Sequence, residues 1–228
     1  MKYELILMDI DDTLIDFEGS EHAALMQAMK SNNIHFTEQY FEVYKLINRE
    51  LWQLFEKGVY KKNEILILRF DLLFAQLGII GDAAQVNHDY LIAMGDHVTL
   101  EPGAEALLDQ LQGRVRLAIV TNGTKLAQDI KLVRSGLTKY FEAIFISDVV
   151  GAHKPNEAFF RAVEDQIGPF DKQRTMILGD GLYSDILGGL RYGIATCWYN
   201  KNSIDIPDDI EPDYTIYNLH EFLAIIEA

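Results

Sequence analysis

Five short runs of almost unbroken apolar residues constrain this chain most. They lie at 5–9 (Leu-Ile-Leu-Met-Asp), 115–121 (Val-Arg-Leu-Ala-Ile-Val-Thr), 143–147 (Ala-Ile-Phe-Ile-Ser), 175–179 (Thr-Met-Ile-Leu-Gly) and 194–198 (Ile-Ala-Thr-Cys-Trp). Continuous rather than alternating apolarity suits strands buried on both faces, and most of these runs are too short for helices. Stretches of helical length at 124–135, 155–168 and 183–192 separate most of them. Strand alternating with helix implies an α/β fold, a parallel sheet with helices on both faces.

One stretch breaks this rhythm. Residues 18–97 contain no convincing buried strand. Tyr44, Ile47, Leu51, Leu54 and Phe55 recur at helical spacing, as do Ile65, Leu68, Leu72 and Leu73. Eighty residues are too many for a loop inside a compact domain. The expectation is an all-helical insert at 18–97, with a core formed by 1–17 and 98–228. Pro102-Gly103 marks the return to the core, and an apolar helix over 219–226 closes it.

Composition narrows the function classes. The 228 residues are 49% apolar, enough for one large or two smaller cores. A net charge of −15 repels phosphate backbones, so binding to nucleic-acid polymers is not expected. A local cluster of lysine, amides and metal can still hold a small anion. With one cysteine, Cys197, no intramolecular disulfide or cysteine-rich zinc site can form. No apolar run approaches the ~18 residues of a membrane span, and the start lacks the features of a signal peptide. These features lead to the expectation of a cytoplasmic protein with no membrane partner. No obligate protein partner is evident, and a monomer is the default.

Four sites carry chemistry. Asp9-Ile10-Asp11-Asp12-Thr13 directly follows the first strand, and in open parallel sheets ligands bind beyond the carboxyl ends of the strands. A strand end followed by a turn can bring Asp9 and Asp11 toward one cleft, although an Asp-rich loop can equally just solvate a strand end. The second strand ends in Thr121-Asn122-Gly123, whose hydroxyl and amide groups can donate to a phosphoryl oxygen; a plain Asn-Gly turn is the alternative. His153-Lys154-Pro155-Asn156 precedes a helix, where a lysine and free amides can neutralise an anion. Gly179-Asp180-Gly181-Leu182-Tyr183-Ser184-Asp185 follows the fourth run and brings two more carboxylates. Together these place functional groups from several strands along one edge of one sheet.

In this order and spacing, these motifs resemble the haloacid dehalogenase superfamily of aspartate-nucleophile phosphohydrolases. The insert looks like that superfamily's small helical cap, on a Rossmann-like doubly wound core. Residues 8–17 (Met-Asp-Ile-Asp-Asp-Thr-Leu-Ile-Asp-Phe) and 148–155 (Asp-Val-Val-Gly-Ala-His-Lys-Pro) look more narrowly like the bacterial pyrimidine 5′-nucleotidase group. The resemblance implies an enzyme, a Mg²⁺-dependent phosphomonoesterase acting on a small phosphorylated substrate, a nucleoside 5′-monophosphate. It implies that Asp9 attacks phosphorus and that Asp11 is the acid and base. Mg²⁺ would be bound by Asp9, Asp180 and the backbone carbonyl of Asp11, with Asp185 acting through water or a neighbour. Lys154 would offset charge on nucleophile and phosphate, Thr121 and Asn122 would hold the phosphoryl group, and Thr13 would steady the loop. Phosphoryl transfer asks a protein mainly for such positioning and charge stabilisation.

Other features carry less. Cys197 reads as core, and His153 is notable only for adjoining Lys154. The aromatics Trp52, Phe55 and Tyr60 read mostly as the insert's own core. Phe17, where the chain leaves the catalytic loop, is a candidate for stacking on the substrate. The alternatives are a phosphosugar phosphatase or mutase, a haloacid dehalogenase, and a non-catalytic phosphate-binding protein. Asp11 and Asp180 together argue against a dehalogenase, because dehalogenases of this type normally lack the second acid and need no metal. An intact like-charge cluster argues against a retired site.

Overall fold

The computed structural model describes residues 1–207 and 209–227. Its centre is a six-stranded, wholly parallel sheet in the order β3-β2-β1-β4-β5-β6. The elements in chain order begin with β1 (Leu5–Met8) and four helices, α1 (Phe17–Ser31), α2 (Glu38–Glu56), α3 (Lys62–Leu77) and α4 (Ala83–Asp96). Then come α5 (Ala104–Leu111), β2 (Arg116–Thr121), α6 (Lys125–Ser135), β3 (Ala143–Ile146), the single turn α7 (Ser147–Val150) and α8 (Glu157–Ile167). The chain ends with β4 (Thr175–Gly179), a π-helical turn (Leu182–Ile186), α9 (Leu187–Tyr192), β5 (Ala195–Tyr199), β6 (Tyr214–Ile216) and α10 (His220–Glu227).

The inner strands β1, β2, β4 and β5 are mostly apolar because both their faces are covered. On β1, Ile6 and Met8 pack with Leu107, Leu108 and Leu111 of α5 and Phe222 and Ile226 of α10. Leu5 and Leu7 point the other way, toward Phe159, Phe160 and Val163 of α8 and Tyr192 of α9. That burial, at about 25 cal/mol per Å² of apolar surface, is the main force holding the layers together. The Rossmann-like core expected from the sequence is present, with β6 as an additional edge strand. This strand order places a topological switch between β1 and β4, where a ligand crevice is expected beyond the strand ends.

The stretch between β1 and α5 is helical. Ala24, Leu25, Ala28, Phe41, Tyr44, Phe70, Leu73 and Tyr90 from α1–α4 form one apolar cluster, which Ala127 of α6 joins. The two chain crossings between this insert and the sheet pair with each other: Asp16 N–H donates to Thr99 O (2.9 Å) and Glu101 N–H to Leu14 O (3.0 Å). The aromatics expected in the insert's core divide. Phe55 is buried, with its ring 4.4 Å from that of His153 across the boundary; Tyr60 is exposed and Trp52 lines a cavity. Tyr60 is the second residue before α3, where the chain turns through solvent between two helices. Cys197 is core, as expected. Among the described residues, no helix is long and apolar enough to cross a membrane.

Candidate active site

The site begins where β1 runs out. The register that pairs Met8 with Leu178 and with Ile119 carries Asp9 to a position between β4 and β2, and Asp9 N–H still donates to Leu178 O (2.9 Å). The chain then folds back. Leu14 and Ile15 N–H both donate to Ile10 O, and Asp12 adopts φ of 57°. Aspartate tolerates this left-handed conformation better than most residues.

Lys154 reaches this strand end from the loop before α8. It is 1% exposed, and its ammonium donates to Asp9 Oδ1 (2.7 Å), Asp185 Oδ1 (2.5 Å) and the Val120 carbonyl (2.7 Å). Burial alone would pull its pKa down, but Asp185 and Asp9 outweigh burial and push it up. A buried ammonium with three acceptors is a fixed cation.

The loop after β4 supplies the rest. Asp185 Oδ2 accepts from Gly181 N–H (3.0 Å), and the carboxylate fills the space a Cβ on Gly179 would need. Glycine at 179 is therefore what lets this carboxylate lie against the strand end. Thr13 and Asp180 are tied twice. The Thr13 hydroxyl donates to Asp180 Oδ1 (3.1 Å) and accepts from Asp180 N–H (3.0 Å). Trp198 Nε1 donates to the Asp180 carbonyl (2.9 Å).

Carboxylate oxygens of Asp9, Asp180 and Asp185 all lie within 4.8 Å of one another. The Asp9 pKa is raised to about 7, by burial first and by Asp185, against the pull of Lys154. Burial, then Asp12, Asp9 and Asp185, push Asp180 well above the usual carboxylate range. One lysine therefore leaves uncompensated negative charge in a site built only of oxygen donors. That donor set fits a hard divalent cation, which would stabilise the ionised carboxylates.

The other sequence-predicted residues are differently engaged. The Asp11 carboxylate lies outside the three-carboxylate cluster, so only its backbone carbonyl is left for the expected metal role. Its Oδ1 accepts from Lys131 (2.5 Å) and its Oδ2 from Gln128 (2.6 Å). The Thr121 hydroxyl lines the cavity and accepts from Gly123 N–H (3.0 Å) and Gln128 Nε2 (3.2 Å). The Asn122 carboxamide brackets the backbone of Lys154, accepting from its N–H (2.9 Å) and donating to its carbonyl (2.9 Å). Its side chain thus fixes Lys154, a different role from the phosphoryl contact expected from the sequence, while the residue still lines the cavity. Phe17 lines the cavity, with the Lys131 ammonium 5.0 Å from its ring centre.

The four aspartates Asp9, Asp11, Asp180 and Asp185 line one cavity of about 550 Å³ with Lys154, Thr121 and Asn122, and the helical insert walls its other side. Several lining residues carried no motif. Lys131, 1% exposed, and Gln128 sit three apart on α6 and hold Asp11. Lys201 pairs with Asp12 (2.8 Å) and Glu101. Glu56, at the end of α2, has its pKa raised to about 7 by burial and by Asp185, with Lys154 opposing. Polar residues at helical spacing usually mark a solvated face, and nothing in the sequence distinguishes these.

Comparison with known proteins places this geometry. A family model for haloacid dehalogenase-like hydrolases matches residues 3–193. The pyrimidine 5′-nucleotidase YjjG of Escherichia coli is 34% identical over 99% of both chains. The pyrimidine 5′-nucleotidase PynA of Streptococcus pneumoniae is 33% identical over 100% of this chain and 96% of its own. Among solved structures, the magnesium-bound HAD-hydrolase YfnB of Bacillus subtilis, described as revealing interdomain movement, superposes with a TM-score of 0.96. It is 35% identical, and the match covers all of both chains. A 2-haloacid dehalogenase from Pseudomonas syringae, 21% identical over 99% of this chain and 98% of its own, shares the fold with a TM-score of 0.70.

Proposed function

This chain belongs to the haloacid dehalogenase-like hydrolase family, and on that premise we propose that it is a Mg²⁺-dependent nucleoside 5′-monophosphatase with a preference for pyrimidine nucleotides. The observation that carries the chemistry is the buried Asp9–Lys154–Asp185 contact beside Asp180, at the switch point of the sheet. The near full-length similarity to two pyrimidine 5′-nucleotidases supports the substrate class.

In this reading an Asp9 carboxylate oxygen attacks phosphorus as the P–O5′ bond breaks, leaving a phosphoryl group on Asp9. Asp11 gives a proton to the departing O5′. It then takes one from the water that attacks phosphorus and releases inorganic phosphate. Lys131 and Gln128 hold Asp11 in the orientation that both steps need. Lys154 holds Asp9 in place and balances its charge, and Asn122 holds Lys154. Asp9, Asp180 and the Asp11 carbonyl would bind Mg²⁺, with Asp185 behind them, and the ion would supply charge neutralisation at the phosphoryl oxygens. The Thr121 hydroxyl and the backbone amides after it would receive the phosphoryl oxygens.

Residues 18–97 act in this reading as a cap that encloses the leaving group. The paired crossings near Asp16 and Thr99 suit a hinge, in keeping with the interdomain movement described for the Bacillus relative. A phosphate-release screen over nucleotides, sugar phosphates and an aryl phosphate, with Mg²⁺ and with EDTA, tests the assignment. Pyrimidine nucleoside monophosphates are expected to have the highest kcat/KM, and EDTA to abolish turnover. A hexose phosphate as the best substrate by a wide margin, or full turnover after metal stripping, contradicts it.

A further inference from the structure

The cavity wall contributed by the helical insert carries a polar network that the phosphoryl chemistry does not use. Arg69 of α3 donates from Nη1 to Asn48 Oδ1 (3.1 Å), from Nη2 to Asn87 Oδ1 (2.7 Å) and from Nε to the Leu66 carbonyl (3.2 Å). Asn48 of α2 in turn donates from Nδ2 to Glu21 Oε1 (2.7 Å). Glu21, Asn48, Arg69 and Asn87 are all buried. The guanidinium carbon lies 4.6 Å from the Tyr90 ring centre, and the hydroxyls of Tyr90 and its neighbour Tyr44 are buried with no hydrogen-bond partner among the described residues.

Packing does not require this arrangement. Buried ionic and polar groups are commonly replaced by apolar ones at no loss of stability. Each member of this chain of contacts fixes the next, and the chain ends at Glu21. Asn48 occupies one Glu21 oxygen, and among the described residues no hydrogen bond reaches the other. A carboxylate can accept about four hydrogen bonds, so most of this acceptor is unused. Phe17 and Glu21 stand four apart on α1, one helical turn, and both line the cavity together with Asn48, Arg69 and Tyr90. The wall therefore presents an open acceptor, the free oxygen of Glu21, to the cavity.

We propose that Glu21, oriented by Asn48 and Arg69, accepts a hydrogen bond from an N–H of the leaving group, so that this wall selects nucleotides whose base offers an imide or amino hydrogen. The inference rests on the nucleotidase reading and assigns the residues by which the site recognises that a base is present. The N–H of an imide edge is a donor that a carboxylate oxygen can accept. A substrate that brings no donor to this point leaves the acceptor unpaired, which costs affinity.

The test compares thymidine 5′-monophosphate, N3-methylthymidine 5′-monophosphate and ribose 5-phosphate as substrates of the full-length protein with Mg²⁺. Methylation replaces the imide hydrogen with a methyl group and is expected to lower wild-type kcat/KM on the order of 10–100-fold. In Glu21→Gln the single carbonyl oxygen is held by Asn48, so an NH₂ faces the cavity. The two thymidine nucleotides are then expected to come within about threefold of each other. Asn48→Leu, which frees Glu21 to turn, is expected to narrow the same ratio. Because the readout is a ratio, a general loss of activity does not produce it, and the wild-type comparison stands even if a variant fails to fold. Wild-type indifference to methylation overturns the proposal. So does undiminished discrimination in Glu21→Gln, which assigns the effect to the bulk of the methyl group. A wild type that prefers ribose 5-phosphate to thymidine 5′-monophosphate instead overturns the nucleotidase reading itself, and this inference with it.

Discussion

At the scale of single residues, the site is a problem in charge. Asp9, Asp180 and Asp185 crowd one point, and Lys154 is the cation that touches two of them. Lys154→Met removes that cation and leaves two buried carboxylates facing each other. It is expected to lower kcat/KM by about 10²–10³, the usual cost of losing one group that stabilises developing charge. A wild-type value in a steady-state assay would reduce the lysine to a packing role. The sequence showed Lys154 through its place before a helix and its neighbours in a motif. Lys131, equally buried and paired with Asp11, it did not show, because a lysine inside a helical repeat looks the same whether it faces solvent or a carboxylate. Asn122 was legible as a polar group at a strand end. That its carboxamide would turn to the Lys154 backbone depends on a loop over thirty residues away, which local pattern does not encode.

At the scale of elements, continuous apolarity located β1 to β5 within a residue or two, because both faces of those strands are covered. It missed β6, a three-residue edge strand in which only Ile216 is buried. Of the insert's four helices, α2 and α3 were legible from their apolar faces, but the polar flank of that face on α2 was not. Asn48, Trp52 and Glu56 lie one turn apart along it and line the cavity. The first residue of α3 fastens the insert to the sheet. Lys62 donates to the carbonyls of Asn122 (2.9 Å) and Gly123 (3.0 Å) and to the Ser147 hydroxyl (2.7 Å), and pairs with Asp148. Burial lowers its pKa, so the contacts hold an ammonium already partly stripped of water. Lys62→Met is expected to loosen the insert, raising KM several-fold and speeding hydrogen exchange at 97–103. Unchanged exchange in that segment would show that Lys62 is not what holds the insert against the sheet.

At the scale of the whole molecule, two cores share one cavity, and the polar groups between them make stability depend on pH. Glu21 is the clearest case. Burial raises its pKa to about 7 from an ordinary 4.5; Arg69 opposes this, Asp12 and Glu18 add to it, and Asn48 stabilises the ionised form. Between those two values the folded state holds a proton that the unfolded state has released. The contribution is therefore fully present below about pH 4.5 and is lost as pH rises through about 7. Denaturant melts of Glu21→Gln are expected to lack this component, so its stability relative to wild type increases from pH 4.5 to 7; parallel profiles would remove Glu21 from the account. The most direct measurement bears on the central claim, that Asp9 becomes phosphorylated and Asp11 moves the protons. Asp11→Asn keeps the nucleophile but gives water no base, so mixing it with Mg²⁺ and an aryl phosphate, followed by rapid acid quench and mass spectrometry, should trap the intermediate. One added phosphoryl group on Asp9, with a burst of phenol before slow turnover, is the expected result. An adduct on another residue, or an Asp9→Asn variant that still turns over the aryl phosphate at the wild-type rate, would contradict it.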